Sequence, residues 1–173
     1  MDLSADEERL ARLVREHQAM VYSLARHIVA DAAEAEEVAQ EVFYKLLQHA
    51  DELESEEHVR FWLRRVTVRQ ALDAWRKRRR RGETPLDDAP EPAADAPGGL
   101  DPWRDRRLRA AVAALPPEQR VAVVLRYQED LDPRDIARLL RTSVHTVKSR
   151  LQRGLAALRR EASAWEPAGM NRP

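Results

Sequence analysis

The side chains best suited to recognition chemistry lie near the C-terminal end: Ser143, His145, Thr146, Lys148, Ser149, Gln152 and Arg153. Lys148 and Arg153 are donors that match the acceptors of guanine in a major groove. Gln152 offers the paired donor and acceptor that adenine presents there. Helical spacing places His145, Lys148, Ser149 and Gln152 on one face, with Arg153 at its edge, and Val144, Val147, Leu151, Leu155 and Leu158 on the other. Between Arg141 and Arg160 there are six basic residues and no acidic one. A basic helix face is usually only a solvated surface. Here it is free of acids in a chain whose 30 basic and 30 acidic residues balance, and it falls where a groove contact needs it. Double-stranded DNA is the ligand this pattern favours.

Such a helix must be held at a fixed angle. Immediately before it, Asp132 is placed to cap a short helix, with Pro133 at the first position and Asp135 in the first turn. Ile136, Ala137, Leu139 and Leu140 supply its apolar face. A break at Arg141–Ser143 follows, with Ser143 as the cap of the longer basic helix. A short helix, a tight turn and a basic second helix form a helix-turn-helix, whose second helix enters the major groove.

A second set of chemically apt residues lies in 57–81, read as a long helix. Val59, Trp62, Leu63 and Val66 mark one apolar side, and Phe61, Val68, Leu72 and Trp75 the other. Arg65, Arg69 and Arg76 interleave with these aromatics. Rings that stack on bases beside guanidinium groups that hold phosphates suit single-stranded nucleic acid. The helix ends in Arg76, Lys77, Arg78 and three further arginines, a run read as a contact to a phosphate backbone. Ahead of it, 33–50 is a helix capped by Asp31. Its inner face is Ala35, Val38, Ala39, Val42, Phe43, Leu46 and Leu47, and its outer face carries Glu36, Glu37, Gln40, Glu41 and Tyr44. Periodicity alone reads that acidic face as solvated. A first helix over 4–30 buries Leu10, Leu13, Val14, Val21, Leu24, Ala25 and Ile28; His17 falls within the stripe and is read as a core-boundary residue.

Helical periodicity runs almost everywhere, and no hairpin or alternating pattern interrupts it, so the fold class is all-α. The exception is 82–102, with five of the ten prolines, three of the five glycines and six acids without a base. Such a segment cannot bury enough apolar surface to fold and is read as a flexible acidic linker. The expected organisation is therefore a helical domain over 1–81, a linker over 82–102, and a helix-turn-helix domain over 103–165. Residues 166–173 are read as a frayed tail. The second domain opens with Leu108, Ala111, Val112 and Leu115 on one helix, and Val121, Val124, Leu125 and Tyr127 on the next.

Other functions find little support. The chain has no cysteine, and its five histidines lack metal-ligand spacing. It has no glycine-rich phosphate loop and no nucleophile elbow. No cofactor, metal or catalytic residue is expected. No run of eighteen apolar residues or signal-peptide pattern is present, so a cytoplasmic protein without membrane insertion is expected, nucleoid-associated when it is at work.

These segments together resemble the bacterial extracytoplasmic-function sigma factors. "DAAEAEEVAQEVFYKLL" is similar to the family's core-polymerase-binding helix. "FWLRRVTVRQALDAWRKRRRR" is similar to its promoter-melting, minus-ten helix. "LPPEQRVAVVLRYQEDLDPRDIARLLRTSVHTVKSRLQRGLAALR" is similar to its domain for the minus-thirty-five element. The resemblance implies a subunit without catalytic activity that binds core RNA polymerase and directs promoter-specific initiation, with an anti-sigma factor as a further partner. It implies that Glu37, Gln40, Glu41 and Tyr44 dock on the polymerase. Phe61, Trp62, Arg65, Arg69, Trp75, Arg76, Lys77 and Arg78 would serve the melted minus-ten element. Ser143, His145, Thr146, Lys148, Ser149, Gln152 and Arg153 would read the duplex upstream element. The acidic linker would follow the RNA exit path. Arg69 departs from the Asn common in the family, replacing a neutral donor and acceptor by a charged donor. The competing expectation is a stand-alone helix-turn-helix regulator that acts without polymerase. An acidic helix followed by a basic, aromatic one disfavours it.

Overall fold

The computed structural model describes residues 3–82 and 102–165, with side chains from 7 and from 106 onward. The linker interior and the tail expected over 166–173 lie outside the described residues. The described residues are helical throughout apart from short turns, with no strand among them. The chain divides into two compact units, Met1–Ala89 and Pro90–Pro173.

The first unit is built on three long helices, α1 (Leu3–Val29), α2 (Ala32–His49) and α3 (Glu56–Arg81), which all pack on one another. Ala30 takes a left-handed φ of 60° and turns the chain sharply after α1. The Asp31 carboxylate accepts from the Glu34 amide at 2.9 Å and starts α2. A single 3-10 turn, Ala50–Glu52, leads to Ser55, whose hydroxyl accepts from the His58 amide at 3.1 Å. Gly82, at φ 70°, ends α3 in the left-handed conformation that a Cβ disfavours.

The core of this unit is Leu13, Val21, Leu24, Ala25 and Ile28 from α1, Ala35, Val38, Val42 and Leu46 from α2, and Val59, Leu63, Val68 and Ala71 from α3, with Leu53 beneath. Each large aliphatic side chain among them contributes roughly 1.5–3 kcal/mol on burial. Leu47, expected on the inner face of α2, is 53% exposed. One helix cannot bury both Leu46 and Leu47 fully, because neighbouring residues point about 100° apart. The fully buried Thr67 is a polar residue that periodicity overlooks; its hydroxyl donates to the Leu63 carbonyl at 2.7 Å. Phe61, Trp62 and Trp75 are each only half-buried.

The second unit holds α4 (Pro102–Ala114), α5 (Pro117–Tyr127), α6 (Pro133–Leu140) and α7 (Val144–Trp165). Packing of α5 against both α6 and α7 leaves five consecutive residues, Val121–Leu125, buried. Arg120 is buried as well. Its guanidinium donates to the carbonyls of Ala113 and of Leu115, the latter at 3.0 Å, and so satisfies the C-terminal end of α4. Leu108 and Tyr127, expected in the core, are exposed. Both sit where their helix has no neighbour on that side to cover them.

Candidate nucleic-acid interface

The helix-turn-helix is α6 and α7. The Asp132 carboxylate accepts from the amides of Arg134 at 2.7 Å and Asp135 at 2.9 Å, and Pro133 opens the first turn. The Asp135 amide, and after it the Arg134 amide, holds the Asp132 carboxyl below its ordinary range. Arg141 adopts φ 52° and ψ 50° as the helix ends, and the Thr142 amide returns to the Ala137 carbonyl at 3.0 Å. The Ser143 hydroxyl accepts from the Thr146 amide at 3.0 Å and starts α7.

Ile136, Ala137, Leu139, Val147, Leu151 and Gly154 are buried at the inner side of the pair. Val144, Leu155 and Leu158, expected in the buried stripe, are half-buried. The opposite side of α7 therefore faces solvent, with Ser143, His145, Lys148, Gln152 and Arg153 exposed and Thr146 and Ser149 half-buried. Arg153 does not hang free: its guanidinium donates to the Ser149 hydroxyl at 3.1 Å and to the Ser149 carbonyl at 3.3 Å. That tie lowers the rotamer entropy lost when Arg153 meets a ligand.

In the first unit, α2 presents Glu37, Gln40, Glu41 and Tyr44 on its exposed side. Lys45 lies 3.2 Å from Glu41 across one turn. The unexpected exposure of Leu47 places it on this same face, since 37, 40, 41, 44 and 47 follow helical spacing. The face thus combines an acidic rim with two large exposed side chains, Tyr44 and Leu47. Leu46 and Leu47 are equally apolar, and only packing separates them.

Along α3, Arg69, Arg76 and Lys77 are exposed and Arg65 is half-buried. Trp62 lies against His49, with ring centroids 5.8 Å apart. Trp75 carries the Arg79 guanidinium 5.3 Å above its ring. Arg76 lies 3.3 Å from Asp73. The terminal basic run is not uniform. Arg78 turns inward, pairs with Glu34, and donates to the Val29 carbonyl at 2.6 Å. Burial raises the Glu34 carboxyl above its ordinary value, and the Arg78 charge acts against that rise. The expectation that this whole run is a solvated phosphate contact therefore fails at Arg78. On a helix, 78 returns to the side that faces the α1–α2 corner, whereas Lys77, Arg79, Arg80 and Arg81 remain exposed.

Two known sequence families match in the order the helices suggest. "Sigma-70 region 2" matches residues 13–81 and "Sigma-70, region 4" matches residues 105–158. The chain is 35% identical over 152 residues to the ECF RNA polymerase sigma factor SigE of Mycolicibacterium smegmatis, covering 85% of this chain and 59% of that protein. It is 32% identical over 158 residues to the RNA polymerase sigma-E factor of Streptomyces coelicolor, covering 87% and 84%. Its fold is similar to that of the sigma factor RpoE solved with the anti-sigma factor NepR from Bartonella quintana. That match has a TM-score of 0.74 at 21% identity and covers 92% of this chain and 98% of that one. It is also similar to CnrH solved with the cytosolic domain of CnrY, with a TM-score of 0.68 at 20% identity, covering 92% and 91%. With both sigma-70 regions matched in order and about a third of its residues shared with such factors over most of its length, the chain belongs to the extracytoplasmic-function RNA polymerase sigma factors.

Proposed function

We infer that this protein binds core RNA polymerase and directs transcription initiation at specific promoters, with no catalytic activity of its own and a cytoplasmic site of action. The observation that carries the reading is the outward face of α7, where Lys148, Gln152 and Arg153 stand exposed on a helix held by α6. Arg153 and Lys148 suit guanine and Gln152 suits adenine. Ser143, His145, Thr146 and Ser149 flank them as contacts to phosphate or to base edges. On the α2 face, Glu37, Gln40, Glu41, Tyr44 and Leu47 dock on the polymerase. Along α3, Phe61, Trp62, Arg65, Arg69, Trp75, Arg76 and Lys77 meet the opened minus-ten strand. Arg78 leaves that set because the fold uses it.

The working division is a region over 1–81 for polymerase and the minus-ten element and a region over 103–165 for the upstream element, joined by 82–102. An anti-sigma factor is the further partner; the similar sigma factors solved with NepR and with the cytosolic domain of CnrY support that expectation. No described helix is long and apolar enough to cross a membrane. The deciding experiment is run-off transcription with purified core polymerase. Promoter-specific transcripts are expected only when this protein is added. DNA binding without any transcript would point to a stand-alone regulator instead.

A further inference from the structure

Between α1 and α3 lies a partly open cleft of about 430 Å³, lined by Glu16, His17 and Met20 from α1 and by Glu56, Arg60 and Arg64 from α3. It involves none of the side chains assigned above to polymerase or promoter DNA. His17 is 7% exposed, and its Nε2 has no hydrogen-bond partner. A buried polar nitrogen without a partner is costly, and it calls for a specific reason. Burial, and then the Arg60 charge, holds His17 below its ordinary value, so it is neutral near pH 7 and can carry its proton on Nε2.

We propose that this cleft is a binding site for a phosphate group, held by the guanidinium groups of Arg60 and Arg64 and by the Nε2–H of His17. Two forked cations and one ring donor supply hydrogen bonds from several directions, which suits a tetrahedral oxyanion better than a planar carboxylate. The volume lies within the range of roughly 300–1,000 Å³ usual for small-molecule sites. Met20 gives an apolar wall for whatever carries the phosphate. The carboxylates do not fill the anion's place. Glu16 lies 3.9 Å from Arg12, and Glu56 belongs to the first turn of α3, where the helix dipole favours it. They oppose the anion, and so set a threshold that excludes weakly charged ligands.

The site couples to protons. Facing His17 are Glu16 on its own helix and Glu56, Arg60 and Arg64 on α3. A bound anion offsets the two arginines, favours the imidazolium and draws a proton to His17. By reciprocity, acid tightens anion binding.

The test is a titration of the full chain with inorganic phosphate, read from the His17 imidazole NMR signals. Chloride at matched ionic strength serves as the control. A saturable shift is expected with phosphate and none with chloride. Sulfate, which keeps its charge across the range, should bind several-fold more tightly at about pH 5.5 than at about pH 7.5. R60Q/R64Q should abolish the effect, and E56Q should strengthen phosphate binding several-fold. If R60Q/R64Q fails to fold, the E56Q result decides. Equal binding of dimethyl phosphate would assign the site to a nucleic-acid backbone. Preference for the dianion would assign it to a free phosphate monoester. A shift that does not saturate, survives R60Q/R64Q, or ignores E56Q would overturn the proposal, as would binding of an oligoglutamate peptide but not phosphate. Neither outcome depends on the run-off result, since these residues lie outside the polymerase and promoter faces.

Discussion

Two buried or half-buried ionisable side chains shape the first unit. His17 has its proton affinity lowered by burial and by Arg60 and Arg64, against the opposite pull of Glu16 and Glu56. Its native form binds a proton less readily than the unfolded chain, so stability rises with pH through this window. In anion-free buffer the first unit should lose stability as pH falls below the ordinary histidine value of 6.5, until the folded-state value is passed. His17→Gln should flatten that slope, measured as urea midpoints across the range. Arg78 makes a different case. Arg78→Ala removes its bonds to Glu34 and the Val29 carbonyl and should cost about 1.5–3 kcal/mol. Arg80→Ala, at an exposed position, should leave stability unchanged. In the promoter complex, Lys77→Ala or Arg80→Ala should instead reduce the slope of log affinity against log salt by about 0.9 for each DNA phosphate no longer neutralised. An identical stability loss for Arg78 and Arg80 would show that the inward pairing has no weight.

At the scale of elements, α7 depends on a close approach to α5. A Cβ added at Gly154 would lie 2.9 Å from a Val123 methyl, and valine has little freedom to move it away. Gly154→Ala gains about 1 kcal/mol of helix propensity but incurs an overpacking cost of about 1–3 kcal/mol. The expected net result is a lower midpoint for the second unit in thermal unfolding. A stabilised variant would mean that the α5–α7 contact yields without cost. For α2, Glu37→Lys with Glu41→Lys should weaken binding to core polymerase while helical content stays intact, because both side chains are exposed. Co-elution of the double variant with core polymerase at wild-type strength would remove α2 from the docking surface. Leu47→Ala provides an apolar counterpart, expected to weaken the same complex without lowering stability.

At the scale of the whole molecule, two compact units separate two kinds of recognition. Replacing Arg153 or Lys148 by Ala should cost on the order of 1–3 kcal/mol if the residue reads a base, and should relax preference at one position of the upstream element. Contact to phosphate alone would weaken all promoter sequences alike. Transcription from a library randomised across that element distinguishes the two outcomes. Ser149→Ala should produce part of the Arg153 effect, since Ser149 holds that guanidinium in place. Core-polymerase affinity should survive all three substitutions, because the residues assigned to it belong to the other unit.

Much of this was already legible in the order of residues. Apolar spacing of 3.6 exposed every helix. Side-chain caps at Asp31, Asp132 and Ser143 marked where three of them start, because a cap is a bond between near neighbours in the chain. The outward face of α7 also followed from local spacing, once Val147 and Leu151 were turned inward. What only the tertiary structure decided concerns residues whose partners lie far along the chain. Leu46 and Leu47 differ only in which one meets α1 and α3. Arg78 and Arg80 differ only in that one reaches Glu34, 44 residues away. Arg120 is buried because it finishes a neighbouring helix, and His17 became a candidate ligand-binding side chain only when α3 brought Arg60 and Arg64 beside it. Periodicity states which side of a helix is apolar; it does not state what stands opposite, and for a polar or charged side chain that neighbour determines its role.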